Sequence, residues 1–360
     1  MNRKILVLGA GTAGCAAAVF LRQLNFEVVL ADRQPFPDST GTFKIGESLS
    51  PDATTLLQQL GIWEAFCAGP HLKCYGNLSY WHSEKATHHD FLQHPIGHGW
   101  HLGRLAFDQM LLKKAIDAGA EFLPQTQIRS FKFEEEQWKL FLQSTDSEKD
   151  LSVDFIVDAS GRNSWLPRQL GIDRLYEAEQ LALVTFLEIS PEFEDTRTLV
   201  ETTDKGWWYT APIPGNRMTA VFFYSPDQLK LPGQPGAEEW KKLLNESLHT
   251  AKRIEQAEGQ LITEPTTVAA HSSILEALHG PGWVAVGDAA LTYDPIAAHG
   301  ITMALTSARD AAKALSQHFE GNPKALAFYE AVLWAAFQRY AEERQRFTPI
   351  NSKQVTLARL

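Results

Sequence analysis

The 360-residue sequence predicts an α/β protein in which a Rossmann-like domain carries an inserted antiparallel β-sheet domain and a C-terminal helix. Three observations support this fold class. An apolar run, a glycine-rich turn, a helical stretch and a second apolar run follow one another within the first 32 residues. Two later apolar runs, at 154–161 and 282–288, also end in glycine turns beside an aspartate. Between these runs lie alternating or β-branched stretches bounded by Pro, Gly and Asn, which are typical of an antiparallel sheet.

The first three elements form a βαβ unit. Residues 4–8 are mainly apolar and β-branched, as expected of a buried parallel strand. Residues 15–24 are rich in Ala and Leu and predict a helix, and residues 26–31 predict a second buried strand. Strand, helix and strand within about 30 residues match the length of one βαβ crossover. The glycine turn therefore lies at the carboxyl end of the first strand.

This turn carries glycines in the pattern G-x-G-x-x-G. We expect Gly9 to allow a tight turn, Gly11 to let the backbone approach a pyrophosphate, and Gly14 to let the helix pack on the strand. The N-terminus of the helix offers free N–H groups to the phosphates. Asp32, at the end of the second strand, is placed to accept hydrogen bonds from a ribose hydroxyl, and Arg33 follows it. The turn therefore predicts dinucleotide binding.

Two further strands extend the predicted parallel sheet. Residues 154–158 predict a strand that leads to Gly161, and residues 282–286 predict one that leads to Gly287 and Asp288. The carboxyl ends of parallel strands meet at one edge of a sheet. We therefore expect these turns to lie beside the first glycine turn and to complete a cofactor crevice.

The second sheet is predicted from four stretches between these runs, namely 76–81, 181–189, 206–212 and 218–224. Residues 238–252 predict a single helix that packs on this sheet.

The first domain is predicted to be discontinuous, because the strands of the second sheet interrupt it. The predicted segments are 1–75, 98–168 and 268–330 for the first domain, 76–97 and 169–267 for the sheet domain, and 331–360 for the C-terminal helical segment. A long amphipathic pattern over 324–347 follows a Gly-Asn-Pro turn and predicts the C-terminal helix.

Composition narrows the classes of partner. The net charge of −10 disfavours a nucleic-acid partner. The chain has three cysteines, and their spacing fits neither a disulfide framework nor a zinc site. No apolar run is long enough for a membrane span or a signal sequence, so we expect a cytoplasmic protein. Histidines are dense over 71–101, but acids and cysteines do not accompany them at metal-ligand spacing. We therefore predict an exposed loop there and no metal.

Four motifs together resemble one family. They are the opening glycine pattern, Gly-Glu-Ser at 46–48, Val-Asp-Ala-Ser-Gly-Arg at 157–162 and Val-Ala-Val-Gly-Asp-Ala-Ala at 284–290. The combination spans nearly the whole chain. It resembles the FAD-dependent monooxygenases with the p-hydroxybenzoate hydroxylase fold, especially the branch of flavin-dependent halogenases and geranylgeranyl-reductase-like proteins. The resemblance implies an FAD-binding domain, a substrate-binding sheet domain, and reduction by NAD(P)H or by a partner flavin reductase.

The resemblance also implies roles for residues of the cofactor site. Asp288 would bind the ribitol–pyrophosphate region of FAD, Arg104 would approach the pyrophosphate, and Ser48 belongs to the Gly-Glu-Ser segment of the site. A helix that starts near Gly300 and Ile301 would direct its N-terminus at the flavin pyrimidine, where negative charge develops on reduction.

The substrate pocket is expected between the flavin ring and the second sheet. Its predicted lining is Trp81, Trp207, Trp208, Tyr209 and Pro295. Aromatic walls of this kind suit a flat apolar or aromatic substrate.

Two residues are candidates for catalysis. His299, next to the expected position of the flavin, titrates near neutral pH and could relay a proton or hold a substrate carboxylate. Lys73 resembles the lysine with which halogenases hold hypohalous acid. However, Ala297 stands where halogenases place a catalytic glutamate, and residues 206–214 break their Trp-x-Trp-x-Ile-Pro signature. Ser160 replaces an aspartate that helps many hydroxylases to bind NADPH, which leaves the reductant open.

Four functions remain open from the sequence. The first is hydroxylation of an aromatic substrate. This substrate would be a small molecule or, by resemblance to the flavoproteins that hydroxylate tryptophan during quinone cofactor maturation, a tryptophan-containing partner protein. The others are reduction of alkenes of the geranylgeranyl-reductase type, halogenation, and a non-catalytic role as a flavin-bound assembly protein. We expect the first.

Overall fold

The computed structural model describes residues 3–35, 44–145, 147–177, 179–231, 233–294 and 299–347. Strands in this part of the chain are β1 (Lys4–Leu8), β2 (Glu27–Ala31), β3 (Ser48–Leu49), β4 (Leu72–Cys74), β5 (Gly76–Tyr80), β6 (Thr87–Asp90), β7 (Gly99–His101), β8 (Glu121–Leu123), β9 (Gln127–Glu134), β10 (Gln137–Gln143), β11 (Glu148–Val153), β12 (Phe155–Asp158), β13 (Arg174–Tyr176), β14 (Leu181–Glu188), β15 (Thr198–Thr203), β16 (Gly206–Ile213), β17 (Arg217–Tyr224), β18 (Gln260–Leu261), β19 (Thr266–Ala269), β20 (Ser273–Leu275), β21 (His279–Gly280), β22 (Trp283–Ala285) and β23 (Leu291–Thr292).

The α-helices in the same ranges are α1 (Thr12–Gln23), α2 (Ala53–Gln59), α3 (Trp63–Cys67), α4 (Arg104–Asp117), α5 (Trp165–Gln169), α6 (Ala237–Asn245), α7 (His249–Gln256), α8 (Gly300–Phe319) and α9 (Ala325–Phe347). Short 3₁₀ helices lie at Phe91–Gln93, Gly161–Asn163 and Gly287–Ala289.

The central parallel sheet has the strand order β21-β22-β12-β1-β2-β8, with β21 antiparallel to its neighbour. Leu8, at the end of β1, lies beside Asp158 of β12 and Ala31 of β2, so the carboxyl ends of these strands form one edge. The inner strands β1, β2, β12 and β22 are short, mainly apolar and almost fully buried, because α1 and α8 cover the sheet. The glycine turns that follow β1 and β12 therefore meet at this edge.

The second sheet contains eight strands in the order β18-β14-β17-β16-β15-β5-β6, with β19 paired to β14. The four predicted strands are present in it. The sheet also contains β15, which the sequence analysis missed because its residues Thr-Leu-Val-Glu-Thr-Thr are largely polar. One face of the sheet packs against α6 and α7, and the other face looks towards the carboxyl edge of the parallel sheet.

The predicted single helix over 238–252 is wrong, since the structure has two helices, α6 and α7, at this place. The reason lies in a distant strand. The carboxylate of Glu201 on β15 accepts hydrogen bonds from the backbone N–H groups of Leu248 at 2.9 Å, His249 at 3.0 Å and Thr250 at 2.6 Å. A carboxylate at this position caps the free donors of a helix N-terminus, so a new helix begins there.

The prediction of an exposed loop over the histidine-rich stretch is also wrong. The stretch contains β4 to β7, and His101 is fully buried with Nε2 at 3.0 Å from Thr198 Oγ1. His71 accepts a hydrogen bond from the backbone N–H of Gly103 at 3.1 Å. Within the described ranges, no three His, Cys, Asp or Glu side chains converge as metal ligands do.

The C-terminal helix is present as α9, which packs on α8. No helix in the described part of the chain has both the length and the apolar composition needed to cross a bilayer. The predicted fold class is confirmed: a parallel sheet flanked by helices, an antiparallel sheet built from the intervening segments, and a long C-terminal helix.

Candidate active site

A cavity of about 610 Å³ lies where the carboxyl edge of the parallel sheet faces the antiparallel sheet. The side formed by the parallel sheet and its turns consists of the glycine turn at 11–13, residues 44–48, Ala159, Gly161, Arg162 and the start of α8. The side formed by the antiparallel sheet consists of residues from β14, β16, β17 and β19. The cavity thus occupies the place where the sequence predicts cofactor and substrate.

The glycines of the first turn differ in the space around them. Gly9 has a φ of +98°, and a Cβ atom there would lie 2.5 Å from the carbonyl oxygen of Ala159. A Cβ atom on Gly14 would lie 1.7 Å from the carbonyl oxygen of Gly9. At Gly11 no heavy atom lies within 4 Å of that position, and the space belongs to the cavity. The turn therefore leaves room for a ligand next to the free N–H groups at the start of α1.

Asp32, which directly follows β2, stabilises this turn through hydrogen bonds to the backbone. Its Oδ2 accepts a hydrogen bond from the backbone N–H of Ala10 at 2.6 Å, and its Oδ1 accepts one from the N–H of Gln34 at 2.7 Å. Asp32 is half-buried, whereas Arg33 is exposed. The contact with a ribose that the sequence predicts for Asp32 stays a prediction.

Two cations lie at the end of the cavity near α1. Arg104, the first residue of α4, donates from Nη1 to the carbonyl oxygens of Ile45 at 2.6 Å and Gly46 at 2.7 Å. Lys44 Nζ lies 2.6 Å from Oδ2 of Asp108, and Asp108 also reaches the first residue of α1. These contacts fix the loop against α4 and concentrate positive charge beside the glycine turn, which suits a pyrophosphate.

The turn after β22 is held by residues from two other elements. Gly287 has a φ of +58°, and its N–H donates to Ser307 Oγ of α8 at 2.9 Å. Arg174 donates to the carbonyl oxygen of Asp288 at 2.9 Å, and Arg162 Nε lies 3.7 Å from Asp288 Oδ2. Asp288 therefore lines the cavity from a turn whose backbone is fixed.

A hydrogen-bonded group lies where residues 44–48 meet the antiparallel sheet. Ser48 Oγ lies 2.7 Å from the hydroxyl of Tyr209 on β16, and the buried carboxyl of Glu47 lies close to the same hydroxyl. Burial raises the pKa of Glu47, and Tyr209, the backbone N–H groups of residues 46 and 47 and the charge of Arg104 oppose this rise in part. Burial and the adjacent Glu47 raise the pKa of Tyr209 well above its ordinary value. This group can hold a proton at the cavity wall.

The antiparallel sheet gives the cavity an apolar wall. Ala182 on β14 lies between Val268 on β19 and Phe223 on β17, and Val221 lies beside Tyr209. All five side chains line the cavity and none of them is charged at neutral pH. Such a wall suits a flat, uncharged ring.

The N-terminus of α8 points into the cavity. His299 is the N-cap residue, and it lines the cavity together with Gly300 and Ile301. The carbonyl oxygen of His299 accepts a hydrogen bond from the N–H of Met303 at 2.7 Å. Gly161, with a φ of +71°, lines the cavity from the turn after β12.

Asp294, which also lines the cavity, is held from α9 and from the sheet. Arg344 of α9 lies with Nε 3.2 Å from Asp294 Oδ2 and with Nη1 3.2 Å from Glu177 Oε2. With its amide oriented to satisfy both neighbours, Gln180 donates to Asp294 Oδ2 at 2.6 Å and accepts from the indole N–H of Trp207 at 3.1 Å. The C-terminal helix and the antiparallel sheet are thus joined at this residue.

A family profile described as an FAD binding domain matches residues 2–342, which is nearly the whole chain. The chain belongs to this family. It is an FAD-dependent oxidoreductase with FAD as its cofactor, and the family predicted from the sequence motifs is confirmed. The cavity fits the cofactor, because Gly11 leaves open space beside the start of α1 and the cations Arg104 and Lys44 lie next to it.

Relatives with similar sequences are named either as FAD-dependent oxidoreductases or as flavin-dependent halogenases. An FAD-dependent oxidoreductase of Marinomonas mediterranea, LodB, is 28% identical over 86% of this chain and 84% of its own length. A tryptophan 2-halogenase of Chondromyces crocatus is 26% identical over 99% of this chain and 69% of its own length. Several further relatives are named flavin-dependent halogenases.

Solved structures share the fold. The flavin-dependent halogenase CmlS superposes with a TM-score of 0.84 at 22% identity over 96% of this chain, which spans 64% of the CmlS chain. QhpG, a peptidyl tryptophan dihydroxylase essential for tryptophylquinone cofactor biogenesis, superposes with a TM-score of 0.75 at 22% identity. That match covers 96% of this chain and 75% of QhpG.

The structure brings most of the predicted cofactor residues together, but it places Lys73 outside the cavity. Lys73 is exposed on β4, opposite Trp100 of β7 and close to Cys67 on α3. Pro295 and Ala297 lie outside the described residues.

The predicted aromatic pocket needs correction. Tyr209 lines the cavity, but Trp207 stacks on Phe223 on the same face of the sheet but outside the cavity lining, with ring centroids 3.9 Å apart, and Trp81 packs on Trp207 at 6.1 Å. Trp208 lies on the opposite face of the sheet and packs on a tryptophan of α6. Adjacent residues of a strand point to opposite faces, so the sequence itself could have excluded one of the two neighbouring tryptophans.

Sequence reasoning missed three site residues. Glu47 was part of a recognised motif, but nothing local indicated that its side chain is buried in the cavity. Arg174 and Arg344 reach the site from elements that are distant in the sequence, and their long-range contacts leave no local signal.

Proposed function

We propose that this FAD-dependent oxidoreductase is a monooxygenase that hydroxylates an aromatic ring. The arrangement of charge in the cavity carries the proposal. The wall formed by the antiparallel sheet is apolar and has Tyr209 and the adjacent Glu47 at its edge, while Lys44 and Arg104 lie beside the glycine turn. Among the described residues that line the cavity there is one lysine, Lys44, and it is paired with Asp108. The described part of the wall therefore offers no lysine that could hold an oxidised halide.

The residues divide the work between binding and chemistry. When bound, FAD accepts electrons from an external donor and activates oxygen. Gly11, Arg104 and the start of α1 would hold the pyrophosphate, and the N–H groups at the start of α8 would stabilise negative charge on the cofactor. The apolar wall orients the substrate ring and excludes water. Glu47 and Tyr209 handle protons at its edge.

The indole of a tryptophan side chain in a partner protein is one substrate that this wall would accept. The likeness in fold to the peptidyl tryptophan dihydroxylase supports this form of the proposal. An uncharged indole meets apolar side chains such as Val221 and Phe223 without burying an unpaired charge. A small aromatic molecule is the alternative form of the same substrate class.

Halogenation is the second candidate, and the names of several relatives favour it. The position of Lys73 outside the cavity and the alanine at position 297 count against it. Chemistry on an aromatic ring is common to both candidates.

Product analysis tests the proposal. The purified FAD-loaded protein is incubated with NADH, a flavin reductase, oxygen and N-acetyl-tryptophanamide or a tryptophan-containing peptide, with and without bromide. We expect mass spectrometry to detect one or more added oxygen atoms, with a yield that does not depend on bromide. Lys73→Met should give the same product at the same rate.

A brominated product that requires bromide and is lost in Lys73→Met would replace hydroxylation by the second candidate. Reduced flavin consumes oxygen without substrate, so the mass of the product and not the oxygen uptake separates the candidates. An alkene reductase adds hydrogen and no oxygen or bromine to its substrate. A protein that forms no oxygenated product with any of these substrates would contradict the proposal.

A further inference from the structure

We infer that Glu47 accepts the proton that the aromatic ring releases during hydroxylation, an inference that rests on the proposed function. When one atom of O₂ bonds to a ring carbon, that carbon must lose its hydrogen as a proton to restore the aromatic ring. The carboxylate of Glu47 takes this proton and returns it to solvent before the next turnover. The second oxygen atom leaves as water, reduced by two electrons from the external nicotinamide or reduced-flavin donor.

The position of Glu47 supports this role. Glu47 lines the cavity although only 3% of its surface is exposed, and its carboxyl lies close to the hydroxyl of Tyr209, which belongs to the apolar wall. Ser48 Oγ lies 2.7 Å from the same hydroxyl and so fixes the direction of the tyrosine. The carboxyl group therefore lies at the edge of the space in which a ring would bind.

The charge environment of Glu47 differs from that of a structural glutamate. Arg104, whose charge favours the ionised form of Glu47, is engaged by the carbonyl oxygens of residues 45 and 46, to which it donates at 2.6 and 2.7 Å. Glu201 offers a direct comparison, since it is 4% exposed but accepts three backbone N–H groups at 2.6 to 3.0 Å. A buried carboxylate is destabilising unless hydrogen bonds or cations compensate it. Glu201 is compensated in this way by three backbone N–H groups. For Glu47, the favourable effects of Tyr209, of the backbone at residues 46 and 47 and of Arg104 are smaller than the cost of burial, so the pKa of its carboxyl is raised.

This comparison predicts opposite effects on the stability of the FAD-free protein. Glu47→Gln keeps the shape of the side chain and an acceptor for Tyr209, and it removes the buried charge. Burial raises the pKa of Glu47, so its ionisation destabilises the folded state increasingly as the pH rises above the pKa of an unfolded glutamate. Glu47→Gln should therefore raise the melting temperature at pH 8 by about 2–4 °C and have little effect at pH 4.5.

Glu201→Gln is the matched control. It removes a carboxylate that caps α7, so it should lower the melting temperature at both pH values. It should also leave the pH profile of product formation unchanged.

The rate of product formation tests the catalytic role separately. Glu47→Gln should lower kcat about 100-fold or more and abolish the rise of kcat with pH, because the glutamine cannot accept a proton. Glu47→Asp should restore that rise, and KM for the aromatic substrate should change little. Glu47→Gln with the wild-type pH profile, or with a melting temperature below that of the wild type at pH 8, would overturn the inference.

The two proposals fail in different ways. If the wild type forms no hydroxylated product, the proposed function fails, whatever the stability measurements give. If the wild type hydroxylates the substrate and Glu47→Gln does so equally fast, the role of Glu47 fails and the proposed function stands.

Discussion

At the scale of single residues, the glycines of the first turn have different roles: one is needed for packing of the protein and another leaves room for a ligand. Gly14 has no room for a side chain, because the carbonyl oxygen of Gly9 would lie 1.7 Å from its Cβ atom. Gly11 has open space there and an extended backbone with a φ of −76°, so a side chain would point into the cavity without strain. Gly14 is needed to fold the turn, and Gly11 is needed to leave the turn accessible.

Gly11→Val should therefore abolish FAD binding without unfolding the protein. The valine side chain would occupy the place beside the N–H groups of α1 where the pyrophosphate must lie. We expect a colourless protein with the circular dichroism and melting temperature of the FAD-free wild type. Gly14→Val, the control, should yield little folded protein, because backbone must move. A Gly11→Val protein that is purified with the yellow colour of the wild type would refute the assignment of the turn.

At the scale of elements, α9 supplies the positive charge of Arg344, which compensates the buried carboxylate of Asp294 at the cavity. Arg344 lies between two carboxylates, Asp294 at the cavity and Glu177, with Nε and Nη1 each 3.2 Å from an oxygen. All three side chains are largely buried, so water compensates the carboxylates poorly. The hydroxyl of Tyr340, one turn earlier in α9, accepts the backbone N–H of Asp294 at 3.0 Å. The C-terminal helix thus fixes both the charge and the backbone of a cavity residue.

Arg344→Met should decrease the free energy of unfolding by about 3 kcal/mol, as expected when a buried ion pair loses one partner. The Kd for FAD should rise as well, since Asp294 lines the cavity. Urea unfolding and titration of flavin fluorescence measure the two effects. Arg339→Met on the exposed side of the same helix is the control, and it should change the free energy by less than about 0.5 kcal/mol. Equal stability of the two variants would contradict this role of α9.

The elements also show what the sequence can predict. The βαβ unit at the N-terminus is determined locally, because strand, glycine turn and helix follow one another along the chain. The break between α6 and α7 depends on Glu201, which is more than 40 residues away in the sequence, and no local pattern reports it. The same holds for the site: the glycines could be predicted, whereas the burial of Glu47 and the pairing of Asp294 with Arg344 could not.

At the scale of the whole molecule, a small three-stranded sheet, β3-β7-β4, makes polar contacts with the large antiparallel sheet beside the cavity. His101 of β7 bonds to Thr198 of β15 at 3.0 Å, and Ser48 of β3 bonds to Tyr209 of β16 at 2.7 Å. Because β3 and β7 are neighbours in one small sheet, these two contacts belong to the same junction. We therefore expect protonation of His101 to disturb the junction that holds Tyr209 at the cavity wall.

Stability should fall in mild acid because of two buried histidines. Burial lowers the pKa of His71 to about 4 and that of His101 to about 3. Unfolded histidines titrate near pH 6.5, so between about pH 6.5 and 4 the unfolded chain binds more protons than the folded one. The stabilisation is complete above pH 6.5 and decreases as the pH falls, by up to about 1.4 kcal/mol per pH unit for each histidine.

Urea unfolding at pH 8.0, 7.0, 6.0 and 5.0 measures this dependence. The wild type should be more sensitive to pH below 6.5 than the double variant His71→Gln, His101→Gln. The difference in slope should disappear between pH 7.0 and 8.0, where both histidines are neutral in the folded and the unfolded state. Equal slopes for the two proteins from pH 6.0 to 5.0 would mean that the histidines are not held neutral at the junction, and the link between His101 and the cavity wall would be lost with them.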